Sequence, residues 1–148
     1  MLEYARQKAG SRDVSNILFF QAGFLTYDYP NGHYDIVFSQ LALHHLPDFW
    51  KFEALKKVFR SLKKGGVFFL KDVVYPSNID DYDEFFETIV KGVELSAGDE
   101  FTKEYNQHIK KEYSTLDWVM EGFLQKVGFK ILEANKDKGF IATYLCGK

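Results

Sequence analysis

The sequence predicts a single α/β domain in which helices cover a mostly parallel sheet. Short apolar runs that are typical of buried strands alternate along the chain with amphipathic stretches of helical spacing. The run Tyr34–Ser39 is nearly continuous in apolar character, which is typical of parallel strands covered on both faces. The length of 148 residues fits one domain and is sufficient to bury a core without disulfides.

The composition is that of an ordinary globular protein. Hydrophobic residues make up 46% and charged residues 27% of the chain, which excludes a disordered tail, a collagen-like rod and a coiled coil. Aromatic residues reach 18%, so we expect a core built from rings. The 19 basic and 21 acidic residues leave a net charge of −2, and without a basic surplus we expect no general binding of nucleic acid.

Cysteine usage and hydropathy indicate the compartment. Cys146 is the single cysteine and cannot form an internal disulfide, which favours a reduced setting. No apolar run approaches the ~20 residues that span a bilayer, and the first residues lack the layout of a signal peptide. We therefore expect a cytoplasmic protein with no membrane partner.

The predicted elements follow one another as helix, strand, strand, helix, strand, helix, helix, strand and strand. Strands are expected at residues 17–21, 34–39, 67–70, 129–133 and 140–145, and helices at residues 1–9, 48–64, 79–95 and 114–127. Residues 96–113 are polar and mixed, and predict a loop or a short helix. The last two strands are expected to form an antiparallel hairpin around the turn at residues 136–139.

Residues at the predicted helix ends have capping chemistry. Asp48 is expected to be the N-cap of the second helix, and Gly65–Gly66 is expected to end that helix in a left-handed turn. Ser114 and Asp117 have the spacing of a capping box at the start of the last helix.

Chemistry is expected in the loops after the parallel strands, because ligands of such sheets bind at the carboxyl ends of the strands. These loops are Ala22–Phe24, Gln40–Pro47 and Asp72–Pro76. The middle loop contains His44 and His45, and either one alone is also typical of a helix cap or of a bond to a backbone carbonyl. Adjacent side chains of an extended loop point in opposite directions, so we expect no metal site.

Other chemistries lack their motifs. The one pair of adjacent glycines, Gly65–Gly66, lies at a predicted helix end rather than a helix start, so it cannot offer N–H groups to a phosphate. No GxSxG elbow occurs, and Cys146 lies in a predicted terminal strand. Nucleophilic hydrolysis is therefore disfavoured.

Three stretches occur in a characteristic order: ILFFQAGFLTY, HYDIVFSQLALHHLPD and EALKKVFRSLKKGGVFFLKDVVY. With these motifs and the ending FKILEA…GFIATYLC, the chain resembles the class I S-adenosylmethionine-dependent methyltransferases over residues 1–75 and 114–146. The resemblance implies a Rossmann-like three-layer sandwich with a mostly parallel sheet and a C-terminal antiparallel hairpin. It makes residues 1–148 one partial methyltransferase-like domain, in which segment 76–113 is a variable lid or substrate segment.

The resemblance also implies the ligands and the residues that contact them. The cofactor is S-adenosylmethionine, and the methyl acceptor is a small molecule. Gly23 and Phe24 are expected beside the adenine, although Phe24 also fits plain core packing. The residues expected beside the methionyl group are Ser39, Gln40 and Leu41.

An acceptor that carries a hydroxyl or a protonated amine needs a base. The candidates follow the central strands: His44, His45, Asp72 and Tyr75. Asp72 fits a turn or cap acceptor equally well. Side chains of the variable segment are candidates either for an acceptor pocket or for lid packing: Tyr82, Tyr105, His108 and Tyr113.

The chain departs from the family pattern at three cofactor contacts. It contains neither the Gly-rich loop after the first strand of the family nor the acidic residue that ends the second, and Gly23 stands where many members have an acidic residue. We therefore expect an N-terminally truncated domain without its first two strands. Two functions stay open: a methyltransferase domain with impaired cofactor binding, and a non-catalytic remnant that self-associates or binds a partner.

Loss of those two strands would leave the strand at residues 34–39 with an unpaired apolar edge, which favours aggregation. Three arrangements resolve this: strand 17–21 pairs with it, two chains pair through their edges, or the chain is part of a longer protein. For a stable 148-residue form we expect a homo-oligomer.

Overall fold

The structure is a computed structural model that describes residues 1–136 and 139–148, and within them every side chain except those of Ala97, Phe101, Glu104 and His108. The expected roles of His108 and of the tip of the 136–139 turn therefore lie outside the described part. The helices are α1 (Leu2–Gly10), α2 (Asp48–Ser61), α3 (Tyr82–Ala97), α4 (Asp99–Lys111) and α5 (Asp117–Val127). The strands are β1 (Tyr34–Gln40), β2 (Leu62–Tyr75), β3 (Thr115–Leu116), β4 (Lys130–Asn135) and β5 (Ile141–Gly147), and a 3-10 turn covers Leu43–His45.

The strands form one mixed sheet in the order β1-β2-β5-β4. The longest strand, β2, pairs in parallel with β1 and antiparallel with β5, and its end pairs in parallel with the short β3. The β4–β5 pair is antiparallel. The predicted α/β class and the C-terminal hairpin are confirmed.

The core lies on one face of this sheet. Alternate residues of β2 and β5 are buried there, and α2 and α5 cover them while contacting each other. Phe129 joins the layers, with its ring 5.4 Å from that of Phe68 and 5.0 Å from that of Phe59. The fully buried cluster is mostly aliphatic, with Phe68, Phe129 and Tyr144 as its rings. The expectation of a core built from rings is therefore wrong, because many aromatic side chains lie around the core or on the surface.

The opposite face of the sheet carries apolar side chains that stay partly exposed. Ile36 and Phe38 of β1 are 68% and 60% exposed, and Phe38 stacks on Phe69 with centroids 5.0 Å apart. Among the described residues, the two helices that pack on the core, α2 and α5, form one helical layer. Within the same residues, no helix is both long and apolar enough to cross a membrane.

The predicted strand at residues 17–21 is wrong. These residues form no regular element, and Ile17, Leu18 and Phe20 are largely exposed. The described sheet ends at the edge strand β1, and the apolar run at residues 17–21 pairs with none of its strands. Pairing of this run with β1, one of the three expected arrangements, does not occur.

The second predicted helix ends earlier than Gly65–Gly66. Helix α2 ends at Ser61, and both glycines lie within β2. Gly65 has a φ of +78°, and a Cβ on Gly66 would lie 2.9 Å from the carbonyl oxygen of Lys63. The glycines therefore allow a tight entry into β2 instead of terminating the helix.

Two other predicted caps are also wrong. Pro47 is the N-cap of α2, and Asp48 instead binds Lys51 within the first turn. The N-cap of α5 is Leu116, which makes no side-chain capping bond, because Ser114 lies before the short strand β3. The polar segment that suggested a loop or a short helix contains α4, a helix of 13 residues.

Candidate active site

The loop after β1 lies beside the carboxyl-terminal half of β2. The N–H of Leu41 donates to the carbonyl of Lys71 at 2.8 Å. Leu41 has a φ of +49°, a left-handed conformation that is costly for a residue with a side chain. The chain then enters the 3-10 turn at Leu43–His45, so it turns sharply where the sequence suggested an extended loop.

Asp72 of β2 anchors this loop. Its carboxylate is fully buried and accepts hydrogen bonds from the N–H groups of Leu43 at 2.7 Å and of Ala42 and His44 at 3.3 Å each. The Nδ1 atom of His44 lies 2.5 Å from Asp72 Oδ1, whereas the bond from Leu43 ends on Oδ2. These bonds satisfy the first N–H groups of the 3-10 turn, which is the capping role that the sequence allowed for Asp72.

The environment keeps Asp72 ionised. Burial alone would raise the pKa of Asp72, but hydrogen bonds from His44 and from the backbone of Leu43 and Val73 outweigh it and lower the pKa. A carboxylate with a lowered pKa and with donors on both oxygens is a weak proton acceptor. Asp72 is therefore suited to positioning the loop.

His44 and His45 lie on the same side of the chain. Their ring centroids are 4.2 Å apart, and both rings face Glu112, which follows α4. His44 Nε2 lies 3.2 Å from Glu112 Oε2, and His45 Nδ1 lies 3.4 Å from Glu112 Oε1. The expectation that adjacent histidines point apart is wrong, because it assumed an extended backbone and the residues form a 3-10 turn.

Lys51 ties the variable segment to this loop. Its side chain is fully buried, and its Nζ donates to Asp48 Oδ1 and to the carbonyl of Tyr113. The N–H of Tyr113 donates to the carbonyl of His44 at 2.9 Å. Residues 112–113 are thereby fixed against the loop after β1.

Tyr75, the last residue of β2, lies close to Glu112 and Ser114. Burial raises its pKa, a hydrogen bond with Ser114 acts in the opposite direction, and the charge of Glu112 raises it further. Its ring meets that of Phe86 edge-on at 5.2 Å. The phenol thus stays protonated, so Tyr75 is suited to donating a hydrogen bond.

The aromatic candidates of the variable segment have different surroundings. Tyr82 packs beside Phe85 and Phe86, and its hydroxyl donates to the carbonyl of Pro76. Tyr105 meets Phe140, and burial raises its pKa. Tyr113 is about half exposed. Among the candidates whose side chains the structure describes, Tyr82 is the one bonded to the loop that follows β2.

The expected cofactor contacts divide into two groups, one at the carboxyl end of β1 and the other near its amino end. Ser39, Gln40 and Leu41 lie at the carboxyl end of β1, and the buried Ser39 Oγ has no hydrogen-bond partner among the described residues. Phe24 packs against the core, and the carbonyl of its neighbour Leu25 accepts a bond from Lys57 in the second half of α2. That half of α2 approaches the amino end of β1, because the carbonyl of Ser61 accepts from the N–H of His33.

Gly23 belongs to the second group. Its carbonyl accepts from the N–H groups of Thr26 and Tyr27 in a tight turn. The preceding Ala22 lines a cavity of about 620 Å³ together with His33 and Tyr34, at the amino end of β1. The rule that loops after strands meet at one edge holds for the loops after β1 and β2, and it does not extend to 22–24 because no strand precedes them.

Glu112 and Lys51 are residues of the candidate site that the sequence did not predict. Glu112 is distant from the histidines along the chain and ends a segment with no recognisable motif. Lys51 lies in a helix whose other basic residues are typical of a solvated face. No spacing in the sequence distinguishes either residue.

Comparison with known proteins identifies the family. A family model described as a methyltransferase domain matches residues 1–66. The chain is a member of the class I S-adenosylmethionine-dependent methyltransferases. The predicted family is thus confirmed, and the cofactor of this methyltransferase family is S-adenosylmethionine.

Two curated methyltransferases and a solved structure illustrate the relationship. The chain is 28% identical over 114 residues to the 27-O-demethylrifamycin SV methyltransferase of Amycolatopsis mediterranei, covering 74% of this chain and 40% of that protein. It is 30% identical over 129 residues to the sterol 24-C-methyltransferase of Eremothecium gossypii, covering 87% of this chain and 30% of that protein. The S-adenosylmethionine-dependent methyltransferase of Mesorhizobium loti superposes with a TM-score of 0.65 at 18% identity, covering 98% of this chain and 75% of that one.

The methyltransferase chain therefore spans less than half the length of these two curated relatives. The solved structure shares its fold with this chain.

Proposed function

We propose that this chain takes part in methyl transfer from S-adenosylmethionine to a small molecule, with the loop after β1 as the floor of the reaction site. The observation that carries the proposal is the loop itself, in which Asp72 holds His44 and thereby places His45 at the edge of the sheet. The names of two relatives support a small-molecule acceptor, since one is a rifamycin methyltransferase and the other a sterol methyltransferase.

Two observations at the end of β1 fit the methionyl part of the cofactor. The Ser39 hydroxyl is buried without a hydrogen-bond partner among the described residues, and such groups are costly unless a ligand or water satisfies them. Leu41, two residues later, holds a left-handed backbone, and strain of this kind concentrates at ligand sites. Ser39 would donate to the methionyl carboxylate, with Gln40 and Leu41 beside it.

The cofactor, when bound, supplies a methyl group on a sulfonium, so most of the acceleration comes from positioning the acceptor. His45 is the residue suited to accept a proton from that acceptor. Its side chain is 56% exposed, and with Nδ1 turned toward Glu112 its Nε2 is left for the acceptor hydroxyl. His44 has a carboxylate at each ring nitrogen and acts as a positioning residue.

The acceptor is proposed to be largely apolar. Tyr75, Tyr82, Phe85 and Phe86 form a contiguous group of rings beside the end of β2. Aromatic faces bury much apolar area for little loss of side-chain freedom. The protonated Tyr75 hydroxyl offers this group one donor for orienting a polar substituent.

The test is calorimetric titration of the full chain with S-adenosylhomocysteine, the product form of the cofactor. Saturable binding is expected, and Ser39→Ala should weaken it about tenfold, which corresponds to one hydrogen bond to a charged group. The same substitution should leave the free energy of unfolding equal or higher, because it removes a buried hydroxyl without a partner.

Ser96→Ala is the matched control, since the Ser96 hydroxyl bonds only to carbonyls of its own helix. It should leave binding unchanged. Absence of binding at millimolar ligand would reject cofactor binding by this chain and favour the non-catalytic alternative. Equal binding by wild type and Ser39→Ala would remove Ser39 from the site.

A second candidate function is self-association through β1. Its outer edge has no neighbour in the described sheet, and the adjoining Ile36 and Phe38 are mostly exposed. An exposed strand edge with apolar neighbours is a template for pairing with a second chain. A homo-oligomer with a continuous sheet would cover both the outer edge of β1 and these two apolar side chains.

Sedimentation velocity at micromolar concentration is expected to show particles larger than the 17.2 kDa chain. Ile36→Lys should return them to single chains, because a charge beside the edge opposes pairing. Leu95→Lys is the control, as Leu95 is 90% exposed on α3. Single chains for the wild-type protein would contradict self-association, and dissociation by the control alone would place the contact on α3.

A further inference from the structure

We propose that His44, His45 and Glu112 form a binding site for a divalent transition metal of the Zn²⁺ or Co²⁺ type. One ligand atom from each residue lies within 4.8 Å of the other two. Two imidazoles and one carboxylate form a common ligand set for such ions. This inference does not depend on the proposed methyl transfer; an ion on Nδ1 of His45 would keep the proton on its Nε2, so the base role of His45 applies to the chain without the ion.

The spacing of the ligand atoms approaches that of a tetrahedral site. Metal–ligand bonds of about 2.0–2.1 Å place neighbouring ligands of a tetrahedron roughly 3.3–3.4 Å apart. The distance from Glu112 Oε2 to His44 Nε2 is 3.2 Å, and from Glu112 Oε1 to His45 Nδ1 it is 3.4 Å. These two distances end on different oxygens of Glu112; with one oxygen as the ligand, the three ligand atoms lie within 4.8 Å of one another, so the exposed His45 ring must move closer to bring them around one ion.

Asp72 supplies the outer support that such sites use. Its carboxylate accepts from His44 Nδ1, and on loss of the proton that faces Glu112 the Nε2 atom would carry the lone pair that binds the ion. A carboxylate–histidine–metal arrangement fixes the tautomer and the orientation of the ring. Asp72 is itself held by the N–H groups of the loop, so the first ligand is rigid before any ion arrives.

The ligand types select the class of ion. Mg²⁺ and Ca²⁺ prefer sites built from oxygen, whereas imidazole nitrogens favour Zn²⁺, Co²⁺ and Ni²⁺. Three protein ligands leave the fourth tetrahedral position for water or for an acceptor atom. The ion would join the loop after β1 to the residue that follows α4, in parallel with the bond from Tyr113 to His44.

The test uses Co²⁺ and Zn²⁺ alone, without cofactor, so its outcome is independent of the test of methyl transfer. Titration of the full chain with Co²⁺ should give one equivalent bound with the intense visible absorption of tetrahedral cobalt, and Zn²⁺ should displace it. His45→Ala and Glu112→Gln should each weaken binding at least tenfold. Circular dichroism should show both variants folded, because the His45 side chain is 56% exposed and glutamine keeps the shape of the Glu112 side chain, which is 13% exposed.

His33→Ala is the matched control, since His33 lies at the opposite end of β1 against Tyr34. It should bind Co²⁺ like the wild-type chain. Absence of saturable binding, or equal binding by Glu112→Gln and wild type, would overturn the site and leave the contacts of Glu112 with the histidines as ion pairs. Loss of binding in the His33 variant would place the ion elsewhere.

Discussion

Replacing Asp72 with asparagine is expected to lower the free energy of unfolding by about 3–5 kcal/mol, the range for removing one partner from a buried charged pair. The carboxylate is fully buried and accepts from the backbone of the loop and from His44. An amide replaces one acceptor oxygen with a donor, which then faces N–H groups. Urea denaturation at neutral pH measures the change.

The effect should depend on pH in a defined direction. The pKa of Asp72 is lowered in the folded chain, since its hydrogen bonds outweigh the effect of burial. The unfolded carboxyl has an ordinary value of about 3.9. The contribution of Asp72 is therefore complete above that value and is lost as the pH falls toward the folded pKa.

The difference in stability between wild type and Asp72→Asn should accordingly narrow on acidification below about pH 4. Asp35→Asn is the control, because Asp35 pairs with Lys63 at the surface and should change stability little. A difference that stays constant down to the lowest pH at which the wild type folds would contradict the assigned role of the charge.

Replacing Phe68 with alanine is the second large expected effect, at about 3–5 kcal/mol of unfolding free energy. Phe68 is fully buried on the face of β2 that α2 and α5 cover, and its ring stacks on Phe129. Truncation removes that contact and leaves a cavity between the sheet and the helices. Thermal and urea unfolding of the same variant measure the loss.

The adjacent Phe69 provides the matched comparison. It has the same side chain on the other face of β2, where it stacks on the exposed Phe38. Phe69→Ala should cost about 1 kcal/mol or less, as for other partly exposed positions. Equal losses for the two variants would show that both faces of the sheet are covered in solution.

The fold class could be predicted from the sequence because hydrophobic periodicity survives in the elements that build the core. The strand at Tyr34 and the closing hairpin were identified from apolar pattern and turn residues alone. The run 17–21 has the same pattern, but pattern does not reveal whether a neighbouring strand exists. Without a ladder partner its backbone groups form no sheet.

The candidate site could be predicted in part. His44, His45, Asp72 and Tyr75 could be predicted because they follow the ends of predicted strands, and the loops after parallel strands gather at one edge of a sheet. The direction of adjacent side chains could not be predicted, because it depends on the local turn that Asp72 caps. Glu112 could not be predicted either, because long-range packing of the variable segment brings it to the histidines.

The position of β2 has a consequence for how the molecule opens. β2 is paired on both sides, by β1 and β5, whereas within the described sheet the edge strands β1 and β4 are each paired on one side. Local opening is therefore expected to begin at one of these edge strands, where a single ladder of backbone bonds must break. The Asp72 carboxylate bonds the loop after the edge strand β1 to the doubly paired β2, so it opposes separation of these two strands at their carboxyl ends.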